Sequence, residues 1–143
     1  LGRINKEEAH LLLKELEAYI LRIGGSRILE ERIDFGLISP YKAQVQYLRG
    51  KIKGSATLRP YRSLITVNTV DGFQGQERDV IFISLVRANE EGQIGFLNDL
   101  RRMNVAITRA RMKLVILGEA ATLGHHAFYK QLLEYVKKVN GRQ

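Results

Sequence analysis

Two glycines and a dense set of amide and charged side chains lie in residues 69–79 (TVDGFQGQERD), directly before an apolar run. Gly72 and Gly75 allow the backbone to approach a ligand closely, because glycine has no Cβ atom. The segment is not a phosphate-binding G-x-x-x-x-G-K-[ST] loop, since the lysine and the spacing are both missing. Loops rich in glycine and glutamine are usually plain connections, but so many polar groups beside a buried strand favour a ligand site.

Four arginines occur in residues 98–111 (NDLRRMNVAITRAR). Apolar residues repeat at helical spacing over 98–110, which predicts one short helix with a core side and an arginine-bearing side. Arg102 and Arg109 are seven residues apart and share a helical face, where an anionic partner would relieve their repulsion. For any single arginine, a solvated basic face is the alternative. The arginines placed on this helix are Arg101, Arg102, Arg109 and Arg111.

A hydroxyl-bearing turn follows the apolar residues 33–39. Ser39 and Tyr41 flank Pro40, and Lys42 and Gln44 come next. The amino end of a helix with a nearby hydroxyl can hold a phosphate. Taken alone, the segment is more typical of a plain strand-to-helix turn.

Alternating strands and helices must position these segments. Asn5 and Glu8 resemble a reciprocal cap for a first helix that ends near Ile23, and Pro40 can open a later one. The pattern predicts a single α/β domain with a parallel sheet and helices on both faces. In such folds ligands gather at the carboxyl ends of the strands. The predicted strands are 33–39, 64–67, 80–86 and 114–117, and a last helix spans 125–138.

The composition of the chain favours some classes of binding partner over others. The 143-residue chain carries a formal charge of +8 with a pI near 9.9, a balance that favours nucleic acid. It has no cysteine and only three histidines, so a disulfide framework is excluded and a metal site is not expected. No apolar run is long enough to span a bilayer, and no signal peptide is recognisable. We expect no membrane partner and a cytoplasmic location. The start at Leu1 suggests a piece of a longer protein.

Taken in order, these segments resemble a known family. SPYKAQ (39–44), VDGFQGQERD (70–79), VRAN (86–89) and GFLNDLRRMNVAITRARMKLVILG (95–118) are similar to motifs IV to VI of superfamily 1 helicases. The branch is that of the nonsense-mediated-decay RNA helicase and the replication nuclease-helicase. The resemblance covers roughly residues 33 to 120. It implies a RecA-like domain of the P-loop NTPase type, with residues 1–143 forming the second of two such domains around ATP.

The resemblance also implies roles for individual residues. Arg109 matches the arginine that reaches across the cleft to the γ-phosphate, and Glu77 matches a glutamate that bonds the nucleotide ribose. Gln74 and Gly75 match a loop that senses nucleotide and couples it to the nucleic acid. Gln76 stands where several relatives carry a basic residue.

Four further positions match the family's contacts to the nucleic-acid backbone or the support of those contacts: Ser39, Tyr41, Thr69 and Asp71. The lysine loop and the Asp-Glu pair that hold ATP and Mg²⁺ in this family are missing here, and so is the glutamine-tyrosine-arginine motif. These groups belong to the first domain or to the segment upstream of Leu1, so no metal ligand is assigned to this chain.

The resemblance implies that the longer protein is an ATP-dependent helicase or translocase on single-stranded or duplex DNA or RNA. This chain alone is expected to be inactive, because the phosphate loop is missing. Two alternatives stay open. One is a basic α/β module that binds nucleic acid or protein without using nucleotide, and the other is a degenerate half of a motor.

Overall fold

The computed structural model describes residues 4–86 and 110–117. Within them, helices and strands follow the order expected of an α/β domain. Two 3₁₀ turns, Arg59–Leu64 and Asp71–Phe73, flank the second strand. The regular elements are α1 (Lys6–Ile23), α2 (Gly25–Glu31), β1 (Phe35–Ser39), α3 (Lys42–Lys53), β2 (Ile65–Thr69), β3 (Arg78–Ser84) and β4 (Ala110–Leu117).

The four strands form one parallel sheet in the order β2-β1-β3-β4. Leu37 at the centre of β1 pairs with Val67 of β2 on one side and with Phe82 of β3 on the other. Because β1 lies between β2 and β3, the short connection from β2 to β3 must cross β1. The predicted parallel α/β architecture is confirmed.

Both faces of β1 and β3 are buried, which explains their continuous apolar sequences. One core cluster joins α1, α2 and α3 to side chains such as Leu37 and Phe82. The other contains Ile38 and Ile81 together with Phe73. The described α-helices therefore all pack against one face. The helices predicted at 98–110 and 125–138 lie outside the described residues, except for Ala110, which begins β4 rather than ending a helix.

Of the reciprocal cap predicted for α1, the bond to Asn5 is confirmed and the bond from Asn5 to Glu8 is wrong. Asn5 Oδ1 accepts a hydrogen bond from Glu8 N at 2.9 Å, as an N-cap should. Glu8 does not return the bond. Its Oε1 atom accepts from Ser84 Oγ at 2.8 Å and from Val86 N at 2.9 Å, while Asn5 N donates to Gln44. The carboxylate is 6% exposed and serves the buried end of β3, so tertiary contacts outweigh the local motif.

Other predicted boundaries shift for identifiable reasons. Pro40 does not open α3, which begins at Lys42 after Tyr41 as its N-cap. Helix α2 was not predicted; the chain enters it at Gly24, whose φ of +100° suits a residue without a Cβ atom. Strand β3 begins at Arg78, two residues earlier than expected, because Arg78 pairs with Ala110 at the start of β4.

Candidate functional site

The carboxyl edge of the sheet brings two hydroxyl-bearing residues together. Ser39 and Thr69 end β1 and β2 and are paired in the sheet register. Ser39 is buried, and its Oγ atom accepts from Tyr41 N at 3.3 Å, while Thr69 Oγ1 accepts from Gly72 N at 3.1 Å. Asp71 follows in the 3₁₀ turn and is exposed. The four residues predicted for this group are therefore neighbours at one edge, and a hydroxyl that accepts one bond can also donate another.

Phe73 fixes the connection between β2 and β3 where it crosses the sheet. Its side chain is 1% exposed and packs on Gly36 of β1. A Cβ atom on Gly36 would lie 2.5 Å from Phe73 Cζ and 2.7 Å from Ile81 Cδ1, so only glycine fits there. Neither residue was predicted as part of the site. The signal was present, because a glycine inside an apolar strand often marks a close approach.

Beyond Phe73 the connection exposes the residues predicted to contact nucleotide. Gln74, Gly75 and Glu77 are all exposed. Gly75 has a φ of +81° with nothing within 4 Å of an added Cβ atom, so its glycine is required by backbone conformation and not by lack of space. Polar side chains and an accessible backbone thus occupy one stretch, as the sequence predicted.

Arg78 braces this stretch and was also missed. Its Nη2 atom donates to Gln76 Oε1 at 3.0 Å and to Thr66 Oγ1 at 3.1 Å. Its guanidinium lies 5.3 Å from the centroid of the Phe73 ring. These contacts tie residues 76–78 to β2 and to the aromatic anchor. Gln76, the residue that departs from the family pattern, thus accepts a hydrogen bond within the loop.

The predicted site residues lie at two opposite edges of the sheet. The connection starts at the carboxyl end of β2 and ends at the amino end of β3, so Glu77 is at the amino edge while Ser39 and Thr69 are at the carboxyl edge. Five residues of β1 at ~3.3 Å each separate the edges by roughly 15 Å. Glu77 therefore lies away from the carboxyl edge, where ligands were expected to gather.

A pair of aspartates organises the amino edge. Asp34 N donates to Asp79 Oδ2 at 3.0 Å, and Asp79 N donates to Asp34 Oδ1 at 2.7 Å. This reciprocal pairing joins the segment before β1 to the start of β3. It also brings two carboxylates side by side, where a cation is needed to balance them.

Arg111 is that cation. Its Nε atom donates to Asp79 Oδ1 at 2.9 Å and its Nη2 atom to Asp34 Oδ1 at 3.1 Å, with Nη1 3.5 Å from Glu77 Oε1. The hydrogen bond to Asp79 raises the pKa of Arg111 above its ordinary value. Placing Arg111 on a helix was wrong: it is the second residue of β4, where its side chain is held by Asp79 of β3 and by Asp34, the residue before β1.

The other three arginines of that segment, Arg101, Arg102 and Arg109, lie outside the described residues. In sequence, Arg109 directly precedes the first residue of β4. Ala110, the residue that follows Arg109, is therefore anchored by the ion pairs of its neighbour Arg111.

The three carboxylates around Arg111 do not suit a divalent cation, because the guanidinium already occupies the space that they share. Over residues 4–86 and 110–117, no group of three potential ligands could hold a metal ion. In the same ranges, no helix combines the length and the apolar content needed to cross a membrane.

Replacing Arg111 with alanine should lower the free energy of unfolding by about 1–2 kcal/mol, since several half-exposed ion pairs are lost and two aspartates are left facing each other. Arg111→Lys should recover part of the loss, because a point charge cannot bond both carboxylates as the fork does. Urea unfolding at low and high salt measures this, and high salt should shrink the difference. Arg27→Ala, which removes one exposed pair with Glu31, is the control and should cost clearly less. Equal losses in the two alanine variants would contradict the assignment.

Comparison with known proteins agrees with this architecture. Residues 2–121 match the family model described as an AAA domain. The chain is 44% identical over 112 residues to probable helicase MAGATAMA 3 of Arabidopsis thaliana, covering 78% of this chain and 14% of that protein. It is 44% identical over 107 residues to Regulator of nonsense transcripts 1 of Dictyostelium discoideum, covering 73% and 8%. With Helicase SEN1 of Saccharomyces cerevisiae it shares 39% identity over 138 residues, covering 93% and 6%. The chain therefore spans less than a fifth of the length of these relatives.

Proposed function

The chain belongs to the AAA domain family and, with its helicase relatives, to the superfamily 1 helicases, and from this we propose that it is the second RecA-like domain of an ATP-dependent helicase or translocase. In this proposal the first RecA-like domain is its partner and lies elsewhere in the same chain. The longer protein acts on DNA or RNA, and we place it in the cytoplasm.

The observation that carries the proposal is the path of residues 70–77. The connection begins beside Ser39 and Thr69 at the carboxyl edge, is anchored on Gly36 by Phe73, and ends with Glu77 at the amino edge. One short segment therefore reaches both groups of site residues. A motor needs such a link, because the state of its nucleotide must alter its hold on the track.

On the nucleotide side, we assign Gln74, Gly75 and Glu77 to the contact with ATP. The residues fit this role, since the exposed Glu77 carboxylate can accept hydrogen bonds from ribose hydroxyls and Gly75 leaves its backbone accessible. When bound, ATP with Mg²⁺ supplies the γ-phosphoryl group that is transferred to water. The first domain holds the metal in this proposal, consistent with the guanidinium that fills the carboxylate cluster of this one.

Arg109 is the catalytic residue that we assign to this chain. It reaches the γ-phosphate when the two domains close, and its planar fork stabilises the charge that develops on the transferred group. An arginine suits this role because it keeps its charge at any working pH.

On the track side, Tyr41 and Thr69 contact the phosphates of the nucleic-acid backbone, and the buried Ser39 supports that contact by accepting a hydrogen bond from Tyr41 N. The hydroxyls of Tyr41 and Thr69 and the amino end of α3 present hydrogen-bond donors at the carboxyl edge. Asp71 is an anion and would repel a phosphate, so we assign it to support of the turn rather than to direct contact. Contacts of this kind make binding weaken steeply as salt rises.

The longer protein should show ATPase activity that nucleic acid stimulates, whereas the isolated 143-residue chain should show none, because the phosphate loop is missing from it. Steady-state phosphate release with and without single-stranded DNA or RNA measures both. A purified chain that turned over ATP would contradict the two-domain assignment. A longer protein that bound strands without any turnover would favour the basic binding module instead.

A further inference from the structure

The flank of the domain beside β2 carries charge of a single sign. Residues 35–70 include six lysines and arginines and no aspartate or glutamate. All six basic side chains are exposed. They are Lys42, Arg49, Lys51, Lys53, Arg59 and Arg62.

Three of these side chains form a stripe along α3. Lys42, Arg49 and Lys53 are separated by seven and four residues, so they lie on one side of the helix. Lys51 points elsewhere, since its Nζ atom lies 5.5 Å from the Tyr47 ring centroid. We call Lys42, Arg49 and Lys53 the basic flank.

The basic flank is fixed against the edge of the sheet. Arg49 Nε and Nη2 both donate to Val67 O of β2, at 3.0 and 2.6 Å. The stripe therefore runs beside β2, with Lys42 near the carboxyl edge and Lys53 at the far end of the helix. Eleven residues of helix place these two lysines ~16 Å apart along the axis.

The position of the basic flank indicates which ligand it binds. It begins one residue after Tyr41, at the edge where the proposed function puts the nucleic-acid backbone. Gln46 and Gly50 lie between its cations, so the stripe is polar throughout and offers no apolar side chain for insertion into a membrane. A row of cations that continues a phosphate-binding edge suits a longer stretch of the same polyanion.

We propose that the basic flank binds the phosphates of a single strand that continues past the carboxyl edge of the sheet. At the ~3.4 Å rise that one strand has within a duplex, the ~16 Å stripe accommodates roughly five further nucleotides at most. This inference rests on the proposed function, which places the strand at Tyr41 and Thr69, and it lengthens the grip along α3.

The test measures binding of fluorescent single strands of increasing length by the longer protein without nucleotide. The variant is Lys42→Gln with Lys53→Gln; Arg49 is left unchanged because it also supports β2. The variant should bind short strands like the wild type but gain less affinity than the wild type over the last roughly five nucleotides, where only Arg49 remains. For long strands, the slope of log K against log salt should fall by about 1.4, from ~0.7 for each lost phosphate contact.

Lys14→Gln with Arg22→Gln is the matched control. It removes the same charge from exposed positions of α1, and it should leave both the length dependence and the salt slope unchanged. If the flank variant and the control behaved alike, the basic flank would not be part of the track while the proposed function stood. If the wild type bound no strand of any length, both would be overturned. Equal thermal unfolding of the variants shows that folding is not the cause.

Discussion

Arg109→Ala in the longer protein is expected to lower kcat for ATP hydrolysis by about 10³–10⁵-fold, the range for arginines that act on a transferring phosphoryl group. The charge that Arg109 stabilises develops only in the transition state. Loss of the arginine therefore raises the barrier more than it weakens ground-state binding. Steady-state ATPase measurements at saturating nucleic acid would show the loss in kcat, with a much smaller change in KM.

Two variants make this result specific to Arg109. Arg109→Lys keeps the charge but not the planar fork, and it should restore only a small part of the rate. Arg22→Ala removes an exposed arginine from α1 and should leave the rate unchanged. Strand binding without nucleotide should survive in all three. Near-wild-type turnover in Arg109→Ala would show that another group serves the γ-phosphate.

Phe73→Ala is expected to lower the free energy of unfolding by about 3–5 kcal/mol, because a fully buried aromatic ring is replaced by a cavity. The ring also packs against the Arg78 guanidinium. Phe73 precedes Gln74 and Arg78 follows Glu77, so the change loosens the loop on both sides of these residues. Chemical unfolding of the 143-residue chain measures the stability, and ATPase assays of the longer protein should show a raised KM for ATP.

Gly36→Ala approaches the same contact from the other side. The new Cβ atom would meet the Phe73 ring, and such overpacking costs about 1–3 kcal/mol. Combining Gly36→Ala with Phe73→Leu should cost less than the two single changes added together, since the smaller side chain makes room. Additive losses of stability would mean that the two residues do not contact each other. Gly50→Ala, at a helix position with nothing within 4 Å, is the control and should not destabilise.

Sequence predicted those parts of the fold that depend on local pattern. The apolar runs of β1 and β3 and the helical spacing of α1 mark elements whose burial is continuous or periodic, and these were found. Asn5 was recognised as a cap because its bond is made within one turn of helix. The parallel direction of the strands followed from the alternation of strands and helices, whereas no strand order was predicted.

The errors arose where long-range partners decide the local structure. Arg111 continues a helical pattern in sequence, yet Asp34 and Asp79 hold it on a strand. Glu8 has the spacing of a capping residue, yet the end of β3 takes its carboxylate. A single sequence does not show which distant group will claim a charged side chain. The opposite placement of Glu77 and Ser39 was missed for the same reason, since it depends on where the connection crosses the sheet.

The two hydrogen bonds from Arg49 to Val67 O have a consequence for self-association. Strand β2 ends the described sheet, and an end strand with open carbonyls is a template on which another chain can add a strand and begin to aggregate. The guanidinium occupies one of those carbonyls and places a positive charge beside it. A second copy of the domain carries the same charge at the same place, so edge-to-edge pairing through β2 would bring like charges together.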